Sequence, residues 1–184
     1  FIGGGFPENF AAQLEANVAL RTQIRDAIES GLPVYAECGG LMYLARSLTV
    51  AGRRFEMVGA VPGDVVMHAR PVGRGYVELE PTGAARWPVA PASSGRIRGH
   101  EFHYSSLENL DPGAEFAYRV LRGHGIDGRR DGLLLRNLIA SYTHLRSVGG
   151  CQWARRFVDF AEQLKRDAPG RAPRDAREAA GVAA

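Results

Sequence analysis

The chain has 184 residues, of which 45% are hydrophobic and 23% are charged, as expected for one globular domain. It contains no run of about 18–20 apolar residues, so no membrane-spanning segment is predicted. The formal net charge is only +3 and the arginines are scattered, which argues against nucleic-acid binding. The two cysteines, Cys38 and Cys151, are too few for a disulfide framework, and we predict a cytoplasmic location.

The first fifty residues predict alternating helices and strands. Apolar residues at helical spacing favour a helix over residues 9–30, and Gly31 suits a left-handed cap at its end. The other elements predicted here are a strand end at Phe1 and Ile2, a glycine run at 3–5, a strand over 33–36 and a helix over 39–47. This order is typical of an α/β fold with a doubly wound, mostly parallel sheet flanked by helices.

The rest of the chain predicts further strands and one more helix. The strands are predicted over residues 55–66, 75–80, 96–104, 116–121 and 133–139, with a surface loop over 85–94. An amphipathic helix is predicted over 151–165. Residues 167–184 hold almost no large apolar side chains and predict a disordered tail. We therefore predict one domain over 1–166, and because Phe1 and Ile2 look like the end of a strand, we expect its first strands to be missing.

Cys38 lies between the strand predicted over 33–36 and the helix predicted over 39–47. Small residues stand two positions before it, at Ala36, and two positions after it, at Gly40. A nucleophile elbow requires small residues at these positions because its turn is very tight. The positive end of the following helix would also favour a thiolate. We interpret Cys38 as a nucleophile, with an inert buried cysteine as the alternative.

A cysteine nucleophile needs a base, and the chain offers five histidines. His124 lies in a glycine-rich turn and is predicted to be solvated, and His68 gives no clear signal. His100 and His103 flank Glu101, but no further ligands at suitable spacing follow, so we predict no metal site. His144 ends an apolar strand, at the edge where parallel sheets place functional groups. On these grounds His103 and His144 remain equal candidates.

The glycine run at residues 3–5 follows a strand end and precedes a helix. Exposed N–H groups in such a run can stabilise an oxyanion, as can the amide of Gly39 directly after Cys38. No Gly-Lys-Ser/Thr sequence follows the run, so it is not a phosphate-binding P-loop. Together with Cys38, the run predicts an acyl-transfer site.

Four segments in this order, GGGFPE, AECGGLMYL, GHEFHYS and SYTHL, resemble the C-terminal glutamine amidotransferase domain of the cobyrinic acid a,c-diamide synthase family. The resemblance extends from Phe1 to Leu164 and implies a class I amidotransferase-like fold. It implies that Cys38 attacks the glutamine amide and that His144, rather than His103, raises its nucleophilicity. The other residues that it places at the site are Gly4, Gly5 and Gly39 for the oxyanion and glutamine, with His100, Glu101, His103 and Tyr104 near the site or the domain interface.

The resemblance also carries expectations about the whole enzyme. Members of the family bind ATP and Mg²⁺ in an N-terminal synthetase domain, so this domain is expected to hold no cofactor of its own. The released ammonia amidates tetrapyrrole carboxylates of cobyrinate or hydrogenobyrinate. The alternatives are a sirohaem-type or nickel-sirohydrochlorin substrate, a peptidase-like cysteine hydrolase, and a non-catalytic module. The oligomeric state is left open, with a homodimer as one alternative.

The sequence departs from many class I amidotransferases at one point. In those proteins Pro-Glu follows the catalytic histidine, and the glutamate orients the imidazole. Here Leu145 and Arg146 follow His144. The sequence therefore predicts either a Cys–His dyad or an orienting group that comes from elsewhere in the chain.

Overall fold

The computed structural model describes residues 1–87, 95–147 and 151–167. In these ranges the helical elements are a 3-10 turn at Pro7–Phe10, α1 (Ala11–Ala16), α2 (Val18–Glu29), α3 (Gly39–Leu44) and α4 (Trp153–Asp167). The strands are β1 (Val34–Glu37), β2 (Ala45–Val50), β3 (Arg53–Glu56), β4 (Val61–Met67), β5 (Gly73–Pro81), β6 (Ile97–His103), β7 (Ser105–Glu108), β8 (Glu115–Arg122), β9 (Arg130–Leu135), β10 (Leu138–Ser141) and β11 (His144–Leu145).

The described strands form two mixed sheets. The larger has the order β1-β10-β9-β8-β5-β6-β11, and the smaller has the order β3-β2-β4-β7. Within these ranges the parallel strand pairs are β1 with β10 and β2 with β4, and the other pairs are antiparallel. The α/β class is thus confirmed, but the expectation of a mostly parallel sheet is wrong. The β2–β3 and β9–β10 pairs are joined by short turns at residues 51–52 and 136–137, and a short turn permits only antiparallel pairing.

Several predicted elements are divided in the structure. The helix predicted over 9–30 is broken at Asn17, whose side chain caps α2 by accepting the Leu20 N–H at 3.2 Å. The helix predicted over 39–47 ends at Leu44, where Ala45 turns extended and begins β2. The strand predicted over 55–66 is the two strands β3 and β4, and that over 133–139 is the antiparallel pair β9 and β10.

Strand β1 is the terminal strand of the larger sheet and positions the site. On one edge it pairs with β10, and on the other Ile2 forms an isolated parallel bridge with Ala36. The Ile2 N–H donates to Tyr35 O at 2.9 Å, and the Glu37 N–H donates to Ile2 O at 3.0 Å. These hydrogen bonds therefore hold the glycine run that follows Ile2 next to the end of β1.

Helix α4 covers one face of this sheet. Its predicted apolar face is observed, since Trp153 packs on Tyr35 and Phe157 packs on Trp87, with ring centroids 4.7 and 5.2 Å apart. Trp87 is buried, although it falls in the surface loop predicted over 85–94; residues 88–94 of that loop lie outside the described residues. Residues 168–184 of the predicted tail also lie outside them, while Asp167 ends α4. None of the helices in the described ranges is long and apolar enough to cross a membrane.

Candidate active site

Cys38 occupies a tight turn between β1 and α3. Its backbone has φ 47° and ψ −101°, a conformation that costs a non-glycine residue about 1–3 kcal/mol and is often found at functional sites. Its N–H donates to Ser141 O at 2.7 Å, which fixes the turn against the end of β10. The residue is buried, with 7% of its surface exposed. The strand–turn–helix arrangement predicted from Ala36 and Gly40 is thus present.

The glycine run packs directly on this turn. A Cβ atom placed on Gly39 would lie 2.5 Å from Gly5 O, and one placed on Gly40 would collide with Ile2 O. A Cβ atom on Gly4 would lie 2.6 Å from Cε1 of His144. These close approaches favour glycine at the three positions, and they place Gly5 against Gly39 and Gly4 against the His144 ring.

His144 reaches the site from β11. This short strand pairs antiparallel with β6, so that His144 stands opposite His100, and the two rings stack with centroids 5.3 Å apart. Hydrogen-bonding contacts with Cys38 and then with Glu37 raise the pKa of His144 from 6.5 to about 10, although burial acts in the opposite direction. The contacts with Cys38 and Glu37 thus favour the protonated form of His144.

Glu37 lies against the other side of this imidazole. Its Oε2 is 3.4 Å from Nδ1 of His144. Its Oε1 accepts the Tyr35 hydroxyl at 2.8 Å and the Leu145 N–H at 3.0 Å, so the buried carboxylate is held in place. Sequence reasoning missed Glu37 because it looked for an acid after the histidine. The available signal was a carboxylate at the end of the buried strand VYAE, directly before Cys38.

Asp131 is a second buried carboxylate that the sequence did not reveal. It accepts the N–H groups of Tyr142 and Thr143, both at 3.0 Å, and that of Gly132 at 2.8 Å. Burial raises the pKa of Asp131 even though these hydrogen bonds act against it. Because the segment it binds runs directly into His144, Asp131 fixes the backbone that presents the imidazole.

The residues His100, Glu101, His103 and Tyr104 do not form one group, since consecutive side chains of a strand point to opposite faces. His100 and Tyr104 lie on the exposed face, and His100 adjoins His144. Glu101 and His103 are buried on the opposite face. The structure thus brings His100 to the candidate site and separates it from Glu101 and His103.

The buried pair Glu101–His103 makes contacts of its own. Glu101 accepts the N–H groups of His124 and Gly125 at 2.7 and 2.8 Å. Burial tends to raise its pKa, but His103 and the two amides outweigh this and lower it. The His103 ring stacks on Tyr142, its Nδ1 contacts Ser105 O at 2.8 Å, and its Nε2 lies 3.7 Å from Glu101. Within the described ranges no group of three or more His, Cys, Asp or Glu side chains could hold a metal ion.

A cavity of about 890 Å³ opens beside His144. The side chains lining it include Tyr76, Arg98, His100, Arg122 and Arg146. A second cavity, of about 950 Å³, lies along β8 and the turn at residues 127–130, and its lining contains neither Cys38 nor His144. The cavity beside His144 is therefore the one that adjoins the candidate chemistry.

Residues 1–148 match the family model of the CobB/CobQ-like glutamine amidotransferase domain. The chain belongs to this family. The resemblance found in the sequence is thereby confirmed. The chain is 47% identical to a cobyrinate a,c-diamide synthase of Magnetococcus marinus, and the match covers 84% of this chain and 32% of that protein. It is 48% identical to a cobyrinate a,c-diamide synthase of Archaeoglobus fulgidus, with 90% of this chain and 35% of that protein covered. The chain thus spans about a third of the length of these curated relatives.

Solved structures support the same fold. A glutamine amidotransferase crystal structure matches with a TM-score of 0.61 at 20% identity, covering 87% of this chain and 77% of its own. The PurLQS structure from Thermotoga maritima matches with a TM-score of 0.57 at 17% identity, covering 82% and 71%. The CobB/CobQ-like domain described here therefore has the predicted class I amidotransferase-like α/β fold.

Proposed function

We propose that this CobB/CobQ-like domain hydrolyses glutamine and supplies the ammonia for an ATP-dependent cobyrinate or hydrogenobyrinate a,c-diamide synthase. The observation that carries the proposal is the grouping of Cys38, His144 and Glu37 at the end of β1. Such a grouping of nucleophile, base and orienting carboxylate is what acyl transfer from an amide requires. It also argues against a non-catalytic module.

The reaction begins with the Cys38 thiolate beside the His144 imidazolium. The sulfur adds to the side-chain carbonyl carbon of glutamine, and a tetrahedral oxyanion forms. The C–N bond then breaks as His144 gives its proton to the departing nitrogen, which leaves as ammonia and a glutamyl thioester. Water, deprotonated by His144, adds to the thioester, and the C–S bond breaks. The products are glutamate and ammonia, and Cys38 and His144 return to their starting states.

The oxyanion needs donors that are already in place. We assign this role to the Gly39 N–H and to the backbone N–H groups of Gly4 and Gly5. Their support is the tight packing of the glycine run on Gly39 and on His144. Removal of one such donor in other enzymes costs about 10²–10³ in rate.

Glu37 takes the part that a glutamate after the histidine plays in many class I amidotransferases. Its Oε2 contacts Nδ1 of His144, which leaves Nε2 to exchange the proton with Cys38 and the leaving nitrogen. We call Glu37 a positioning residue because its proposed action passes through His144. Glu37 thereby compensates for the absence of a glutamate after His144 in the sequence.

The remaining steps belong to the whole protein. We propose that an N-terminal synthetase domain uses ATP and Mg²⁺ to activate a tetrapyrrole carboxylate, which then takes up the ammonia. No residue of this chain is assigned to ATP, because the glycine run is packed against the Cys38 turn instead of forming a P-loop. The curated relatives described above carry the cobyrinate name, so a sirohaem-type or nickel-sirohydrochlorin substrate is not favoured. The cytoplasmic location and the homodimer stay predictions.

The test uses the full-length protein with either glutamine or an ammonium salt as nitrogen donor. We expect Cys38→Ala to abolish glutamine-dependent amidation of the tetrapyrrole and to leave ammonia-dependent amidation intact. Cys151→Ala, at the other cysteine of the chain, is the matched control and should use both donors. Normal use of glutamine by Cys38→Ala would overturn the proposal.

A further inference from the structure

The cavity beside His144 is lined by three arginines that the proposed glutaminase chemistry does not use. We call it the arginine cavity and define it by Tyr76, Arg98, His100, Arg122, His144 and Arg146. Its arginines come from three parts of the chain: Arg98 from β6, Arg122 from the end of β8, and Arg146 from the residue after β11. The fold therefore converges them on one place.

The charges in the arginine cavity do not cancel. The carboxylate in its lining is Glu78, which lies 3.8 Å from Arg98 and is also engaged by Arg96 at 3.3 Å. Within the part of the chain that the structure describes, Arg122 and Arg146 have no carboxylate partner. The cavity is thus complementary to a ligand that carries more than one negative charge.

The shape and the rings of the cavity indicate the size of that ligand. Its volume of about 890 Å³ lies in the upper part of the range of roughly 300–1,000 Å³ found for small-molecule sites. Tyr76 is 77% exposed and stands opposite His100 in the β5–β6 pairing, and His100 in turn stacks on His144. Three rings in a row offer a surface against which a flat organic ligand can lie. A single amino acid such as glutamine would leave much of this surface uncovered.

We propose that the arginine cavity binds carboxylate groups of the tetrapyrrole substrate. The proposal rests on the proposed function, since it places the acceptor next to the residue that releases ammonia. Arg122 and Arg146 bind the carboxylates by paired N–H···O contacts, and Tyr76 and His100 contact an edge of the macrocycle. The carboxylates along one edge of the tetrapyrrole are thereby held at this domain, while another carboxylate of the same molecule is activated in the synthetase domain.

The experiment compares two Michaelis constants in the full-length protein. One is KM for the tetrapyrrole with an ammonium salt as nitrogen donor, and the other is KM for glutamine in the glutaminase reaction without tetrapyrrole. In the double variant Arg122→Gln/Arg146→Gln we expect KM for the tetrapyrrole to rise about tenfold or more, since two charge-assisted contacts are lost. KM for glutamine and the glutaminase kcat should stay unchanged. The matched control is Arg129→Gln, the same substitution on the lining of the other cavity.

Each other outcome overturns the proposal in its own way. A raised KM for glutamine with an unchanged KM for the tetrapyrrole would show that the arginines bind the α-carboxylate of glutamine. Unchanged KM values with more glutamate formed per amide would show that the arginines dock the synthetase domain. No change in any constant would show a solvated surface. The proposed function is tested by a different result. Ammonia-dependent amidation does not require Cys38, so only the Cys38→Ala variant tests the use of glutamine.

Discussion

The described part of the domain contains two pairs of a carboxylate and an imidazole, and they occupy different environments. Glu37 and His144 lie 3.4 Å apart, and the His144 side chain is 27% exposed at the edge of a cavity. Glu101 and His103 lie 3.7 Å apart, and both side chains are almost fully buried. The first pair contacts Cys38, whereas the second is bounded by backbone groups and the ring of Tyr142.

The difference shows that a carboxylate–imidazole pair does not by itself identify catalysis. In both pairs a carboxylate lies close to an imidazole, and in both the contact shifts a pKa: that of Glu101 is lowered and that of His144 is raised. What distinguishes the Glu37–His144 pair is a nucleophile on one side and an open cavity on the other. We therefore interpret it as catalytic and the Glu101–His103 pair as structural, and three sets of variants test this division.

The largest loss of glutaminase activity is expected for His144→Ala. Loss of the group that gives and takes the proton should lower the glutaminase kcat by about 10³-fold. Amidation driven by an ammonium salt should be retained, because it bypasses Cys38. Steady-state glutamate release and tetrapyrrole amidation measure the two activities.

His103→Ala provides the contrast. It leaves the buried Glu101 without its imidazole and is expected to lower the free energy of unfolding by about 3 kcal/mol, as for other broken buried pairs. At a temperature where the variant is folded, its glutaminase kcat should remain within a few-fold of that of the unmodified protein. A 10³-fold loss of kcat in folded His103→Ala would reverse the assignment of the two pairs.

A smaller loss of glutaminase activity is expected for Gly4→Ala. The added methyl group would lie 2.6 Å from Cε1 of His144, so either the ring or the glycine run must move. We expect the glutaminase kcat to fall by about 10²-fold, as when an oxyanion donor is misplaced. In Gly3→Ala, the neighbouring control, the methyl group meets only the ring of the exposed Phe1, at 3.3 Å, and the loss should be far smaller. Equal losses in both variants would show that the loop does not depend on contact with His144.

The smallest of the three losses is expected for Glu37→Gln, at about tenfold in kcat. The informative readout is the pH profile. Contacts with Cys38 and Glu37 raise the pKa of His144 to about 10, so removing the carboxylate lowers it. The imidazolium then loses its proton at lower pH, and the alkaline limb of the kcat/KM profile should move to lower pH. Glu162→Gln, on the exposed side of α4, is the control with an unchanged profile. If Glu37→Gln lowers only the thermal stability and leaves the profile in place, Glu37 is structural.

The sequence predicted the parts of the site that depend on local sterics. Ala36 and Gly40 revealed the Cys38 turn because the backbone there excludes large neighbours. The glycine run was recognised because glycines between a strand end and a helix leave backbone N–H groups exposed. The amphipathic face of α4 also followed from its periodicity. These features are encoded within a few residues of each other.

The parts that depend on distant pairing could not be predicted in this way. His144 stands opposite His100 only because β11 pairs with β6, and Asp131 binds residues 142 and 143 only because β9 lies beside β10. Local patterns left His103 and His144 as equal candidates, since both follow apolar strand residues. Strand direction was mispredicted because a short strand has the same pattern in parallel and antiparallel sheets.

The φ angle of 47° at Cys38 has a consequence for how this site can change. In a regular strand, Glu37 and Cys38 would point to opposite faces of the sheet. The turn lets two successive side chains contact the same imidazole, so the proposed nucleophile and the carboxylate proposed to orient its partner are neighbours in the chain. A deletion or insertion of one residue in β1 would displace both together. The proposed nucleophile and the proposed orienting carboxylate can therefore be lost through the same change in the chain. With an acid after the histidine, such a change would affect only one of them.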